Sequence, residues 1–175
     1  MIDYKLKANK DGILYDSLME FKGNPAWRLS NIELAEWEYK NNIIQISIQK
    51  GTLVRDLVSP DEKYLVLVFR NNKQFPEPCN CVVYDLEGRV HKVVCCPPMA
   101  NTEIIAMNAE NKAKLGNIMG CGVMNNGRGE EVMAIGIWFE GIARSRYVEP
   151  YRESREFDPE TGVLGDIISW ELPYR

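Results

Sequence analysis

The side chains best suited to chemistry are concentrated in one stretch, PCNCVVYDLEGRVHKVVCCPP, at residues 78–98. This stretch contains four of the five cysteines, Cys79, Cys81, Cys95 and Cys96, together with the single histidine, His91. Thiolate and imidazole groups are ligands that zinc prefers, and they also act as nucleophiles and bases in covalent catalysis. The stretch therefore raises the question of a metal site, a redox pair or a catalytic residue.

The turn chemistry of the same stretch predicts a β-hairpin. Asp85 stands three residues before Gly88, the spacing of a type I turn that is followed by a residue in the left-handed conformation. Glycine takes that conformation without steric cost. Below the loop Asp85 is then expected to pair with Arg89, and this pairing sets the register of both strands.

That register predicts where each cysteine points. Cys79 is expected opposite Cys95, and Cys81 opposite Val93, so that these three thiols share one face while Cys96 points to the other. Sulfur atoms in a C-x-C pattern on a strand lie about 6.5 to 7 Å apart, too far for one zinc ion. The sequence therefore predicts no metal site and favours free thiols. A disulfide between Cys79 and Cys95 is the alternative.

Templates for catalysis do not fit the remaining residues. His91 lies in mid-strand beside no nucleophile motif, and the glycine-rich segment at 120–130 lacks both the phosphate-loop lysine and the dinucleotide-binding spacing. Glu130 and Glu131 are adjacent, and adjacent residues on a strand point to opposite faces. We predict no catalytic residue and no cofactor, and hence a protein that is not an enzyme.

Composition narrows the class of protein further. The chain has 175 residues, 45% of them hydrophobic, which suits one domain spanning 1–175. A net charge of -4 argues against direct binding to nucleic acid through phosphate neutralisation. No apolar run approaches the roughly 18 residues of a membrane span, and charges interrupt the N-terminal residues. We therefore expect a cytoplasmic protein without a membrane partner.

The acidity is concentrated near the C-terminus. Residues 149–171 contain seven acidic and two basic side chains, a local charge of -5. Carboxylates on a rigid sheet steer and hold a basic partner. Four acidic residues are predicted to contact such a partner: Glu153, Glu156, Asp158 and Glu160. The alternative is a small-ligand or phosphate site built from Arg144, Arg146 and His91.

Period-two alternation and short apolar runs predict a mainly β chain from about residue 35 onward. In AEWEYK at 35–40, apolar or aromatic residues alternate strictly with charged ones. Ser30 and Glu33 also fit a helix capping box, so a short helix at 31–39 is the alternative to the strand that we favour. YLVLVF at 64–69 is apolar throughout, and both of its faces must therefore be covered.

Turn residues divide the rest of the chain into hairpins. Asn41 and Asn42 suit a tight turn, NNGRGE at 125–130 separates two apolar runs, and DPETG at 158–162 closes the last pair. Asn101 or Thr102 is predicted to cap a helix that ends at 116. The turn spacing predicts roughly nine or ten strands in a single-domain antiparallel β meander or sandwich with one or two short helices.

Two groups of these hairpin motifs carry a resemblance. The runs YLVLVFRNN and CNCVVYDLEGRVHKVV with the following Pro97 and Pro98, and FDPETG in the terminal hairpin, resemble segments of small β-rich bacterial proteins. Those proteins occur among toxin immunity proteins, including those of contact-dependent growth inhibition. The resemblance covers residues 64–98 and 150–170. It implies a cytoplasmic protein that neutralises a cognate toxin, often a nuclease, by direct binding.

Overall fold

The structure is a computed structural model that describes residues 4–10, 13–16, 31–107, 116–144 and 147–171. These residues form twelve β-strands and one short α-helix, α1 (Thr102–Met107). The strands are β1 (Lys5–Lys10), β2 (Ile13–Asp16), β3 (Ile32–Tyr39), β4 (Asn42–Ser47), β5 (Leu53–Val58), β6 (Tyr64–Phe69), β7 (Cys81–Asp85), β8 (Val90–Val94), β9 (Asn117–Asn125), β10 (Glu131–Arg144), β11 (Tyr147–Asp158) and β12 (Val163–Glu171).

The strands form three antiparallel sheets of four strands each. The first sheet has the order β2-β1-β3-β4, the second β5-β6-β7-β8, and the third β12-β11-β10-β9. The second and third sheets are meanders, because each strand pairs with its neighbours in sequence. The predicted mainly β, antiparallel fold class is confirmed. The described strands outnumber the nine or ten expected, since β1 has three lysines in six residues and β2 is only four residues long, so neither produces a clear apolar pattern.

The second sheet lies between the other two. Val66 and Val68 of β6 pack into a core shared with the third sheet, while Leu65 and Leu67 pack into a core shared with the first. Successive side chains of β7 likewise pack alternately into these two cores. An apolar side chain at every position is needed only where both faces are buried. The expectation that residues 64–69 have both faces covered is therefore confirmed.

The choice between strand and helix at 31–39 is settled by β3, which is a strand. Its tight turn into β4 uses Lys40 and Asn41, with φ values of 51° and 62°, one residue earlier than the predicted pair Asn41 and Asn42. Positive φ at both central positions matches the right-handed twist of the flanking strands. Trp37 of β3 donates its indole N–H to the carbonyl oxygen of Leu86 at 2.9 Å and so reaches the second sheet.

The β7–β8 hairpin has the predicted turn. The Gly88 amide donates to the carbonyl oxygen of Asp85 at 3.0 Å, and Gly88 has a φ of 79°. A Cβ at this position would also come within 2.6 Å of Cγ2 of Ile44 in β4. Glycine is therefore required both by the backbone conformation and by the close approach of the first sheet.

The register below that turn differs from the prediction. Tyr84 pairs with Val90, but Val83 pairs with Lys92, so His91 is an extra residue that forms a β-bulge. Every later pair is displaced by one residue, and Cys81 lies opposite Val94 instead of Val93. The expectation that Cys81 shares a face with Cys79 and Cys95 is wrong, because the displacement of β8 places Val94 in the core opposite Cys81 and leaves Cys95 exposed.

The other predicted connections are present. β9 and β10 form a hairpin, as do β11 and β12. The Asn101 side-chain oxygen accepts hydrogen bonds from the amides of Glu103 at 3.0 Å and Ile104 at 3.2 Å, so Asn101 caps α1 as predicted. The expected continuation of this helix to 116 lies outside the described residues. No helix in the described part of the chain is long and apolar enough to cross a membrane.

Candidate partner-binding site

A groove of about 310 Å³ lies between the second and third sheets. One wall is the turn between β5 and β6, the other is the turn between β11 and β12, and the start of β10 closes the space between them. Four carboxylates line it: Asp61, Glu131, Asp158 and Glu160. Its other lining residues are Ser59, Pro60, Tyr64, Val132, Met133, Phe157 and Pro159. We call this space the acidic groove.

The turn at 158–162 is held by its own first residue. Asp158 accepts hydrogen bonds from the Glu160 amide at 2.9 Å and the Thr161 hydroxyl at 2.7 Å. The Gly162 amide donates to the Asp158 carbonyl oxygen at 2.8 Å, with Gly162 at a φ of 76°. The bond from Thr161 lowers the pKa of the Asp158 carboxyl. The turn is therefore preorganised, and its carboxylate stays charged in mildly acidic solution.

The turn at 59–63 is organised in a similar way. The Ser59 hydroxyl donates to Asp61 at 2.6 Å, and the Tyr64 amide donates to the Ser59 hydroxyl oxygen at 3.0 Å. The bond from Ser59 lowers the pKa of the Asp61 carboxyl, and the Lys63 ammonium adds to this effect from 3.1 Å. Both walls of the acidic groove thus present a fixed carboxylate.

His91 connects the two sheets beside the acidic groove. Its Nε2 lies 2.8 Å from the carbonyl oxygen of Glu160, and its ring stacks on Tyr64 with the centroids 4.9 Å apart. A carbonyl oxygen only accepts, so Nε2 carries the proton. The bulge at His91 aims this side chain at the turn. Sequence reasoning missed this role because it placed His91 in a regular strand.

Two of the four predicted contact residues, Asp158 and Glu160, line the acidic groove. Glu156 lies next to it and lines a second cleft of about 410 Å³, which Asp158 also lines. The side chain of Glu156 accepts a hydrogen bond from Asn126 at 3.0 Å and lies 3.7 Å from the Arg128 guanidinium. The carboxylates of these three predicted residues therefore reach one continuous region of the surface.

Glu153 points the other way. It is 1% exposed, and its carboxylate lies 2.6 Å from the Arg155 guanidinium and accepts the Tyr151 hydroxyl at 3.0 Å. Arg155 donates in addition to the carbonyl oxygen of Pro98 at 2.8 Å. Alternation along β11 turns Glu153 inward and Glu156 outward. The carboxylate of Glu153 is not on the surface, so Glu153 does not belong to the candidate interface.

The cysteines divide into one bonded pair and three thiols. Cys79 and Cys95 form a disulfide, which corrects the expectation of free thiols throughout. Cys96 is buried while Cys95 is exposed, as the predicted opposite orientation required. Burial raises the pKa of Cys81 to about 12 and that of Cys96 to about 11, so neither is a ready nucleophile. The described residues contain no group of three side chains suited to a metal ion.

The alternative site is not assembled by the described residues. Arg144 ends β10 and its backbone pairs with Tyr147, but its side chain and all of Arg146 lie outside what the structure describes. The third member, His91, is engaged with Glu160 and Tyr64. No observation favours a phosphate or small-ligand site here.

Fold and site together define an antiparallel β protein with an acidic groove between two of its sheets. A chain of the solved structure of Tne2 in complex with Tni2 is similar to it, with a TM-score of 0.54 and 17% sequence identity. The match covers 98% of this chain and 99% of that chain. Neither a protein-family model nor a curated protein sequence matches. At this identity the similarity shows a shared fold over the whole length.

Proposed function

We propose that this chain is an immunity or inhibitor protein that neutralises a cognate toxin by binding it directly, without chemistry of its own. The observation that carries the proposal is the acidic groove, in which four carboxylates and, among the described residues, no basic side chain line the space between two preorganised turns. A groove of this charge is complementary to a basic protein surface and speeds its capture.

The fold supports the same class of function. The structural neighbour is a chain of a complex of two proteins, Tne2 and Tni2, so a protein of this fold takes part in binding another protein. The hairpin motifs at 64–98 and 150–170 resemble immunity proteins independently of that comparison. We propose a basic toxin as the partner, a nuclease being one such class, and the cytoplasm as the compartment in which it is neutralised.

The proposal is tested by co-expression with a cognate toxin, which is sought among the genes that neighbour this chain's gene. The chain should restore growth and should form a stable complex with the purified toxin. Glu160→Lys should weaken that complex about tenfold at low salt, mainly through slower association, because an exposed carboxylate near the interface acts through steering. Association rates are measured by surface plasmon resonance at several salt concentrations.

The matched control is Glu38→Lys, which makes the same change of charge on an exposed residue of the first sheet. It should leave the association rate within about twofold of wild type. Growth protection that persists without any complex, or equal losses for both variants, would contradict binding through the acidic groove.

A further inference from the structure

We propose that the acidic groove receives an arginine side chain of the partner, which enters between the two turns with its guanidinium among the carboxylates. This inference rests on the proposed function and specifies the chemistry of its interface. The occupant follows from two independent features of the groove, the apolar character of its floor and the charge of its rim.

The floor is apolar. Phe157 and Met133 are buried side chains of the third sheet whose edges reach the groove, and the half-buried Tyr64 ring forms part of the opposite wall. A strongly hydrated small cation gains nothing from such a floor. A long side chain that has an apolar stem and a charged end covers it while keeping its charge at the rim.

Two glutamates of the rim form no salt bridge within the part of the chain that the structure describes. Glu131 and Glu160 are exposed, and neither forms a salt bridge with a described residue. Lys63 interacts electrostatically with Glu160, but its ammonium is paired with Asp61. A cation that entered the groove would therefore meet carboxylates without breaking an existing pair at either glutamate.

Arginine fits this combination better than lysine. Its planar guanidinium donates to two carboxylates at fixed angles and stacks on aromatic rings, whereas an ammonium is more strongly hydrated. The acidic groove offers carboxylates from both walls and the ring of Tyr64 on one of them. Arginine is also enriched among the residues that dominate binding energy at protein interfaces.

The test uses blocked arginine, N-acetyl-arginine methylamide, as the probe, with its blocked citrulline and lysine counterparts. Titration followed by amide NMR should give saturable shifts at residues 131 and 158–160 with arginine and no saturable shifts with citrulline. The double variant Glu131→Gln with Glu160→Gln should weaken arginine binding about tenfold, and the control Glu38→Gln should not change it. Citrulline shifts equal to those of arginine would overturn a charge-based site, and equal affinity for lysine would overturn the assignment to arginine.

The two proposals fail separately. If blocked arginine does not bind but the toxin complex still depends on Glu160, the arginine inference is overturned and the immunity function stands. If arginine binds the groove but the chain neither protects cells nor binds the toxin, the proposed function is overturned. The glutamine variants are close in shape to the native residues and exposed, and their amide spectra report whether the fold is retained.

Discussion

His91 and Glu160 join the second sheet to the third through a single hydrogen bond, from Nε2 to the carbonyl oxygen at 2.8 Å. The two residues lie 69 positions apart in sequence. The side chain of Lys92, the next residue, fills the space beside Gly162, with its Cγ 3.3 Å from where a Cβ would lie. One edge strand therefore supports the turn that carries Asp158 and Glu160.

The substitution His91→Phe should loosen this turn while keeping an aromatic ring stacked on Tyr64. We expect a loss of about 1 kcal/mol in the free energy of unfolding, the usual contribution of one hydrogen bond, and faster amide exchange at 160–162. Hydrogen exchange with mass spectrometry measures the local effect. Val93→Thr, at an exposed site of the same strand, is the control, and unchanged exchange in His91→Phe would show that the contact does not support the turn.

The buried pair of Glu153 and Arg155 should be necessary for folding stability. Glu153→Gln leaves the Arg155 guanidinium buried without a counter-charge, which we expect to cost about 3 to 5 kcal/mol. The double variant Glu153→Leu with Arg155→Met removes both charges and should recover part of that loss. Urea denaturation measures the free energy of unfolding of the single and the double variant. A loss below about 1 kcal/mol for Glu153→Gln would contradict the inward orientation of this residue.

The disulfide between Cys79 and Cys95 should stabilise the protein by constraining the unfolded chain. The two residues are 16 positions apart, and a loop of that length corresponds to about 3 kcal/mol. Cys79→Ser with Cys95→Ser should lose this contribution and become insensitive to reductant, whereas wild type should lose it only when reduced. Five thiols titrating in the unreduced, unfolded wild type would contradict the bond.

The hydrogen bond from Thr161 to Asp158 should make stability depend on pH. It lowers the folded-state pKa of the carboxyl below its ordinary 3.8, so its contribution is present above that value and is lost as pH falls through the folded pKa. Thr161→Val should raise the pKa of Asp158 and reduce stability at pH 6, with the difference disappearing in stronger acid. Carbon NMR titration of the carboxyl and denaturation at both pH values measure this, and an unchanged pKa would contradict it.

Local signals predicted two of the hairpin turns accurately. Asp85 with Gly88, and Asp158 with Gly162, adopt the backbone conformations that their types and spacing indicate. These predictions succeed because each turn depends on side-chain acceptors and positive φ within five residues. The burial of both faces of β6 was also predictable. A strand that is apolar at every position would expose apolar side chains to water if either face were uncovered.

The register of β8 was not predictable from the same signals. The bulge at His91 shifts the later residues of β8 by one position relative to β7, so that Val94 instead of Val93 lies opposite Cys81 and both lie in the core. The direction of Glu153 was missed for a related reason. In the sequence, Glu153 with Arg155 two residues later has the pattern of an ion pair on the surface. Only the structure shows that both side chains are buried.

The sequence by itself determined most of the strands from 35 onward, most hairpin turns and the concentration of acidic residues near the C-terminus, because these depend on neighbouring residues. Only the tertiary structure decided that the turns containing Asp61 and Asp158 form opposite walls of one groove. The stacking of the second sheet on the third brings them together. That stacking depends on complementary packing between distant apolar faces, which no local pattern specifies.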